Sequence, residues 1–160
     1  MSSIRFASQN GILRQRKAAI RKGAAQLTFD TDIAGNTRLK NLYQSDPQRV
    51  LFPNSPDKDI IQAAVVNISG GLVGGDKLLT QVKVNKNASV FVVGQSAEKV
   101  YRSKGADSEI EIKLTVEDGS WLEFLPQETI LFNGSRLRRR THINIAVSYT
   151  HLTLPTKRIV

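Results

Sequence analysis

Hydrophobic and polar residues alternate with a period of two along most of the chain. Residues 110, 112, 114 and 116 are Ile, Ile, Leu and Val, and residues 109, 111, 113 and 115 between them are Glu, Glu, Lys and Thr. This alternation is typical of a strand with one buried face. Related patterns predict strands over residues 24–30, 37–43, 48–52, 60–68, 79–84, 89–93, 121–125 and 137–145. We therefore predict an all-β fold.

A second regularity relates two parts of the chain. Displacing the sequence by 32 residues brings similar residues together and places the turn at Asn87 over the turn at Gly119. A repeated strand-turn-strand unit favours a stacked two-sheet or β-helix-like domain, with an ordinary β-sandwich as the alternative. The matched pairs are Val82–Leu114, Val84–Val116, Val90–Leu122, Val92–Phe124, Val93–Leu125 and Gln95–Gln127.

The stretch over residues 67–76, Asn-Ile-Ser-Gly-Gly-Leu-Val-Gly-Gly-Asp, lies between two predicted strands. Its glycines indicate that backbone geometry matters more here than side-chain packing. A phosphate-binding loop would need lysine after Gly75 and a hydroxyl residue after that lysine, but the chain has Asp76, Lys77 and Leu78. A tight turn in which Asp76 bonds nearby backbone amides is the simpler interpretation.

Length and composition indicate one domain with a sizeable core in a chain of 160 residues. The absence of cysteine excludes disulfides and thiolate metal sites and fits a cytoplasmic location. No run of 18 apolar residues exists, so we expect no contact with a membrane. The formal net charge of +9 directs attention to acidic partners.

Both ends of the chain differ from the central part. Residues 1–23 contain several Lys and Arg and no acidic residue, and we interpret them as a basic N-terminal extension. Residues 147–160, VSYTHLTLPTKRIV, are similar to an in-frame translation of a transposase sequencing adapter. We therefore expect residues 24–146 to be a partial β domain, incomplete at its C-terminus.

Two catalytic or binding alternatives follow from the residues alone. Glu123 and Glu128 flank Pro126 and could form a carboxylate pair of a hydrolase, or they could both face solvent. His142 is the single histidine before residue 147, which leaves a Ser-His-Asp arrangement with little support. The arginine-rich run at residues 136–140 could bind nucleic acid, although a solvated face or an acidic protein partner is the favoured interpretation.

Three stretches taken together resemble one family. They are residues 67–76, residues 98–103 (Glu-Lys-Val-Tyr-Arg-Ser) and residues 121–132 (Trp-Leu-Glu-Phe-Leu-Pro-Gln-Glu-Thr-Ile-Leu-Phe). In order and spacing they are similar to the signature segments of the urease accessory protein UreD family, also called UreH. The resemblance covers residues 24–146, but residues 93–98, Val-Gly-Gln-Ser-Ala-Glu, depart from the threonine-rich segment of many members.

The resemblance implies a non-enzymatic chaperone with an all-β, helix-like architecture. It would bind apo-urease and the accessory protein UreF, and UreF would recruit the GTPase UreG. Nickel would pass through this assembly into the urease active site, so we expect no tightly bound cofactor, nickel in transit, and no nucleic-acid partner. Sparse carboxylates suit a cargo ion that has to be released.

The same resemblance singles out individual residues. It implies that Gly70, Gly71, Gly74 and Gly75 shape the loop, and that Asp76 and Glu98 belong to a transient nickel path. A further set is expected to be structural or to face a partner; it consists of Lys99, Tyr101, Arg102, Glu123, Gln127 and Glu128.

Overall fold

The structure is a computed structural model that describes residues 20–53 and 60–146. These residues form strands and turns and no helix, which confirms the all-β prediction. The predicted basic extension lies outside the described residues up to residue 19, and so does the whole segment 147–160. The strands are β1 (Lys22–Thr31), β2 (Thr37–Ser45), β3 (Gln48–Leu51), β4 (Ile61–Asn67), β5 (Lys77–Val84), β6 (Ser89–Gln95), β7 (Glu98–Val100), β8 (Ser108–Val116), β9 (Trp121–Leu125), β10 (Thr129–Leu131) and β11 (Leu137–Ile145).

The strands form three sheets that the chain visits in turn. The five-stranded sheet A has the order β11-β8-β5-β1-β2, the four-stranded sheet B has the order β3-β4-β6-β9, and the small sheet C pairs β10 with β7. From β5 onward the chain passes through sheets A, B and C, repeats that order, and ends in sheet A with β11. The pairs β5–β8, β6–β9, β7–β10 and β8–β11 are all parallel, as in a β-helix-like coil.

The repeat of 32 residues is the register of this coil. Val82 pairs with Leu114 in sheet A, and Val90 pairs with Leu122 in sheet B. The turns also stack, because the Asn87 N–H donates to the Asp118 carbonyl at 3.1 Å. Residues that match along the sequence are therefore neighbours on adjacent rungs, which favours the stacked arrangement over the sandwich.

Side chains from sheets A and B enclose one hydrophobic core. Strands β1, β5 and β8 show the expected alternation, with every second residue buried. Among the described residues, the fully buried apolar side chains of largest volume are Phe29, Leu27, Leu72, Val82, Val84, Val90, Val92 and Val100. Leu72 lies outside the regular strands, so the glycine-rich stretch contributes to the core.

The strand bounds predicted from the sequence agree only in part with those of the structure. Strand β1 begins at Lys22, two residues before the predicted start, whereas β9 and β11 have the predicted bounds. Strands β7 and β10 were not predicted, because three residues are too few to show a period of two. Within the two described ranges, no helix has the length and apolar composition needed to cross a membrane.

Candidate functional site

The three family-like stretches stack on one side of the coil. Leu72 forms a parallel bridge with Val100 of β7, and β7 pairs with β10 on its other side. The Leu72 N–H donates to the Lys99 carbonyl at 2.7 Å, and the Tyr101 N–H donates to the Leu72 carbonyl at 2.9 Å. Leu72, β7 and β10 are thus three successive rungs, which we call the third face.

The glycine turn, residues 70–75, forms the first rung of the third face. Gly70 and Gly75 adopt φ of 77° and 96°, a left-handed region that favours glycine. At Gly71 a Cβ atom would lie 2.8 Å from the Lys99 carbonyl oxygen, and at Gly74 it would lie 2.8 Å from the Ala106 carbonyl oxygen. Gly71 also has a positive φ, of 134°, so the turn needs glycine at three positions for backbone conformation and at two for close packing, with Gly71 in both groups.

Asp76 closes this turn from inside. Its side chain is fully buried; Oδ1 accepts the Arg21 N–H at 2.9 Å and Oδ2 accepts the Val73 N–H at 3.1 Å. Each carboxylate oxygen thus satisfies a different backbone donor. Its assignment to a nickel path stays a prediction, and a cation at Asp76 would have to compete with these two amides.

Glu98 has a different environment at the start of β7. It is half-buried, and Asn67 Nδ2 donates to Oε1 at 2.9 Å and to Oε2 at 3.1 Å. Burial raises the pKa of the Glu98 carboxyl, while the hydrogen bonds from Asn67 and the charge of Arg139 act in the opposite direction. Glu98 is therefore a carboxylate whose charge is only partly compensated by its surroundings.

A cavity of about 280 Å³ extends from Glu98 towards the core between the sheets. Several predicted residues line its outer part: Gly70, Gly71, Glu98, Lys99 and Gln127, together with Asn67 and Arg139. Its inner part is lined by Leu78, Ile110 and Ile112 and by the buried polar pair Gln48 and Thr80, whose side chains bond at 3.1 Å. The cavity thus leads from a charged outer part to a largely apolar interior.

The arginine-rich run divides between two sides of strand β11. Arg139 lines the cavity and donates to Thr129 Oγ1 at 2.7 Å. Arg136 and Arg138 reach Asp107, at 2.7 and 3.4 Å. Two arginines of the run are thus paired with an acidic residue, and a third faces the cavity.

A family model for the UreD urease accessory protein matches residues 21–152. The chain belongs to this family. The Magnetococcus marinus urease accessory protein UreD is 48% identical over 122 residues, which cover 76% of this chain and 42% of the relative. Urease accessory protein UreD 3 of a Bradyrhizobium species is 41% identical over 114 residues, which cover 71% of this chain and 41% of the relative. UreD of Mesorhizobium japonicum is 34% identical over 154 residues, which cover 96% of this chain and 53% of the relative. The chain spans about half the length of the curated relatives it matches.

The other UreD-like residues are distributed around the third face. Tyr101 stacks on Phe132 with ring centroids 5.1 Å apart, and its hydroxyl donates to the Gly70 carbonyl at 3.2 Å. Arg102 forms a bridge with Ser135. The Glu128 carbonyl accepts the Glu98 N–H at 3.0 Å, so Glu128 connects two rungs through its backbone.

Glu123, the remaining predicted residue, lies in β9 beside Phe91 of β6. Neither its side chain nor that of Glu128 contributes to the cavity lining given by the described residues. Across residues 20–53 and 60–146, no group of three or more His, Cys, Asp or Glu side chains is close enough to hold a metal ion.

Three residues of the cavity were not singled out from the sequence. Gln48 begins β3 and Thr80 lies within β5, both with buried polar side chains, and Asn67 ends β4. Asn67 and Glu98 are separated along the chain by the same 31 residues that separate Glu98 from its β10 partner Thr129. The bridged pair between these two rungs, Leu72 and Val100, is however 28 residues apart, so the spacing of rungs does not identify the Asn67–Glu98 pair.

Proposed function

We propose that the protein acts in urease maturation as a non-enzymatic scaffold that links apo-urease to UreF and, through UreF, to UreG. Family membership supports the urease connection, because the relatives are named urease accessory proteins. The observation that carries the proposal furthest is that parts of all three UreD-like stretches, the glycine turn, β7 and β10, meet on the third face beside one cavity. Such a rigid, stacked face suits a protein whose task is to hold partners in register.

The second part of the proposal is a transient nickel path that starts at Glu98. A divalent cation that enters a partly buried passage needs compensating negative charge, since an unpaired buried ion is costly. Glu98 supplies a carboxylate at the outer part of the cavity, with oxygen ligands of the kind that bind divalent ions. A single carboxylate binds weakly enough to let cargo move on. Asp76 contributes to the path by holding the glycine turn beside Glu98.

The test compares Glu98→Gln with Glu109→Gln in the full-length protein, co-produced with urease subunits, UreF and UreG. Glu109 is a suitable control because it lies on the outer surface of β8, paired with Lys77 at 3.1 Å. We expect both variants to co-purify with UreF and apo-urease. Nickel per urease active site should fall only for Glu98→Gln. Normal nickel loading in that variant would remove Glu98 from the path, and loss of co-purification would assign it to the scaffold.

A further inference from the structure

The inner part of the cavity contains a polar pair with unused hydrogen-bonding capacity. Gln48 and Thr80 are 4% and 7% exposed, and Gln48 Nε2 donates to Thr80 Oγ1 at 3.1 Å. Gln48 Oε1 is buried and accepts no hydrogen bond from the described residues. The Thr80 hydroxyl is an acceptor in the bond from Gln48, so its hydrogen is available to a third group. Because both residues line the cavity, the pair offers it one acceptor and one donor.

The two strands that carry this pair hold it in place. Gln48 begins β3 and pairs with Asn67 of β4, and Thr80 lies in β5, between β1 and β8 in the middle of sheet A. A buried acceptor without a partner costs free energy, and a group that donates to it recovers that cost. The pair is therefore arranged in advance for an occupant of the cavity.

The wall around the pair is apolar. Leu78, Ile110 and Ile112 line the inner part, and Phe124 adds an aromatic ring to the lining. A charged group would lose its hydration there without gaining an opposite charge, so the inner part favours a neutral occupant. An engineered apolar cavity of roughly 150 Å³ in another protein holds benzene. The cavity of about 280 Å³ therefore has room for a substituted aromatic ring.

The polar pair also distinguishes between neutral groups. A hydroxyl group combines a donor and an acceptor in one atom, so a single hydroxyl can donate to Gln48 Oε1 and accept from the Thr80 hydroxyl. A carbonyl group would leave Gln48 Oε1 without a donor, and a primary amide would bring a second N–H for which the pair has no acceptor. Because buried polar groups stabilise a site only when all of them are bonded, the pair fits a hydroxyl best.

We propose that the cavity is a binding site for a small neutral aromatic alcohol. Its hydroxyl bonds to Gln48 and Thr80, and its ring packs on the apolar wall. This inference does not rest on the proposed nickel path, because neither residue of the pair is charged. The ring belongs either to a free phenol or to a tyrosine side chain of another protein, since the two share the same chemistry.

The experiment titrates the full chain with 4-methylphenol and, separately, with toluene in a calorimeter. Toluene has the same ring and methyl group but no hydroxyl. We expect 4-methylphenol to bind about tenfold more tightly, because toluene leaves the polar pair unsatisfied. It should also raise the melting temperature, since a ligand that binds only the folded chain stabilises it. Equal affinity for the two compounds, or binding of neither, would overturn the inference and leave the cavity to water.

The double variant Gln48→Met, Thr80→Val tests whether the polar pair is the site. It removes both polar partners together at similar side-chain size, so we expect it to fold. Toluene should then bind at least as tightly as 4-methylphenol. Thr80→Val alone should reduce the preference for 4-methylphenol by a smaller factor. A preference that persists unchanged in both variants would place the binding elsewhere and overturn the inference.

Gln81→Met is the matched control for these variants. Gln81 follows Thr80 in β5, so its side chain lies on the opposite face of sheet A. We expect this variant to bind 4-methylphenol and toluene as the unmodified chain does. Loss of the preference in Gln81→Met as well would show that the selectivity does not come from the polar pair.

Two blocked peptides, Gly-Tyr-Gly and Gly-Phe-Gly, distinguish the two sources of the ring. Binding of the tyrosine peptide at least as tightly as 4-methylphenol, with weaker binding of the phenylalanine peptide, assigns the site to a side chain of another protein. Binding of 4-methylphenol alone assigns it to a free molecule. None of these measurements involves nickel or Glu98. Normal nickel loading of urease in Glu98→Gln would therefore refute the proposed nickel path and leave this site intact.

Discussion

Leu72 and Leu131 occupy equivalent positions on the third face, on either side of Val100, yet their environments are opposite. Leu72 belongs to the irregular glycine turn and is fully buried, whereas Leu131 belongs to the regular strand β10 and is 60% exposed. The stretch with the least regular sequence therefore makes the better-packed rung. Burial on this face depends on what is stacked beside a residue rather than on the regularity of its own strand.

The same contrast runs through the two copies of the repeat. Val82, Val84, Val90 and Val92 of the first copy are fully buried, but their counterparts in the second copy become progressively more exposed. Leu125, at the end of that series, is 42% exposed. In the described residues the second copy has a neighbouring rung on one side in sheet B and sheet C. Within the described residues, matching patterns therefore differ in burial according to how many neighbouring rungs each one has.

The largest expected effect separates the two leucines directly. Leu72→Ala should lower the free energy of unfolding of this chain by about 2–5 kcal/mol, because it opens a cavity in a fully buried rung. Leu131→Ala should cost less than about 1 kcal/mol, since surface substitutions have small effects. Urea denaturation of both variants measures the difference. Similar losses would mean that the two rungs are packed alike and would break the comparison.

A second substitution tests whether close packing makes the glycine turn rigid. Gly74→Ala places a Cβ atom 2.8 Å from the Ala106 carbonyl oxygen, and we expect a loss of about 3 kcal/mol, typical of overpacking. Gly105→Ala is the control, because a Cβ there meets nothing within 4 Å. Both losses are read from the same urea titrations. Equal stability of the two variants would show that the turn yields easily to an added methyl group.

Asp76→Asn examines the carboxylate that closes the turn. If Asp76 only held the turn, a mild effect would follow from its chemistry, because asparagine also bonds to local backbone amides. In the structure the two amides use different oxygens, so an amide NH₂ group would face one N–H donor, and we expect a loss of about 2 kcal/mol. Asp32→Asn is the matched control: both of its backbone bonds, from Ala34 and Asn36, reach Oδ1. Thermal unfolding should show a clear shift for Asp76→Asn and a small one for Asp32→Asn.

The sequence predicted more of the fold than of the candidate site. Alternation along β8 and the spacing of Val82 from Leu114 predict both the strand and its parallel neighbour, because side-chain period and rung length are local properties. Strand alternation also predicts Arg138 and Arg140 on one face, with Arg136 and Arg139 elsewhere. Arg139 lines the cavity and Arg138 reaches Asp107, as expected, but Arg136 also reaches Asp107, so its predicted separation from Arg138 is wrong. Side-chain alternation and repeat length can therefore be recognised from the sequence alone.

The candidate site depends on which side chains of neighbouring rungs lie close together, and local sequence patterns do not show this. Glu98 could be chosen from its family-like stretch, but its anchor Asn67 and the inner pair Gln48 and Thr80 become neighbours only when sheets A and B enclose the cavity. The Asp76 carboxylate likewise could not be assigned its two separate donors before the path of the turn was known. Register is predictable from a repeat, whereas hydrogen-bond partners of single side chains are not.

The smallest expected effect concerns pH and separates Glu98 from the exposed carboxylates. Burial raises the pKa of Glu98 above the ordinary value of 4.5, so the folded chain holds this proton more tightly than the unfolded chain does. Its contribution to stability is therefore complete below about pH 4.5 and is lost as pH rises through the raised pKa. The pKa values of Asp30, Asp32 and Asp107 are lowered from 3.8 by hydrogen bonds, and their contributions are lost only at more acidic pH.

Glu98→Gln should remove this dependence, because the glutamine cannot ionise. We expect the difference in unfolding free energy between Glu98→Gln and the unmodified chain to shift in favour of the variant as pH rises above 4.5, the ordinary pKa of the carboxyl group. Glu109→Gln is measured alongside as a matched substitution at a carboxylate on the outer surface of β8, paired with Lys77. Urea titrations at several pH values measure both differences. A difference that stays constant with pH for Glu98→Gln would mean that the carboxylate at the cavity is as well solvated as one on the outer face. The contrast between the third face and the outer surface of sheet A would then rest on packing alone.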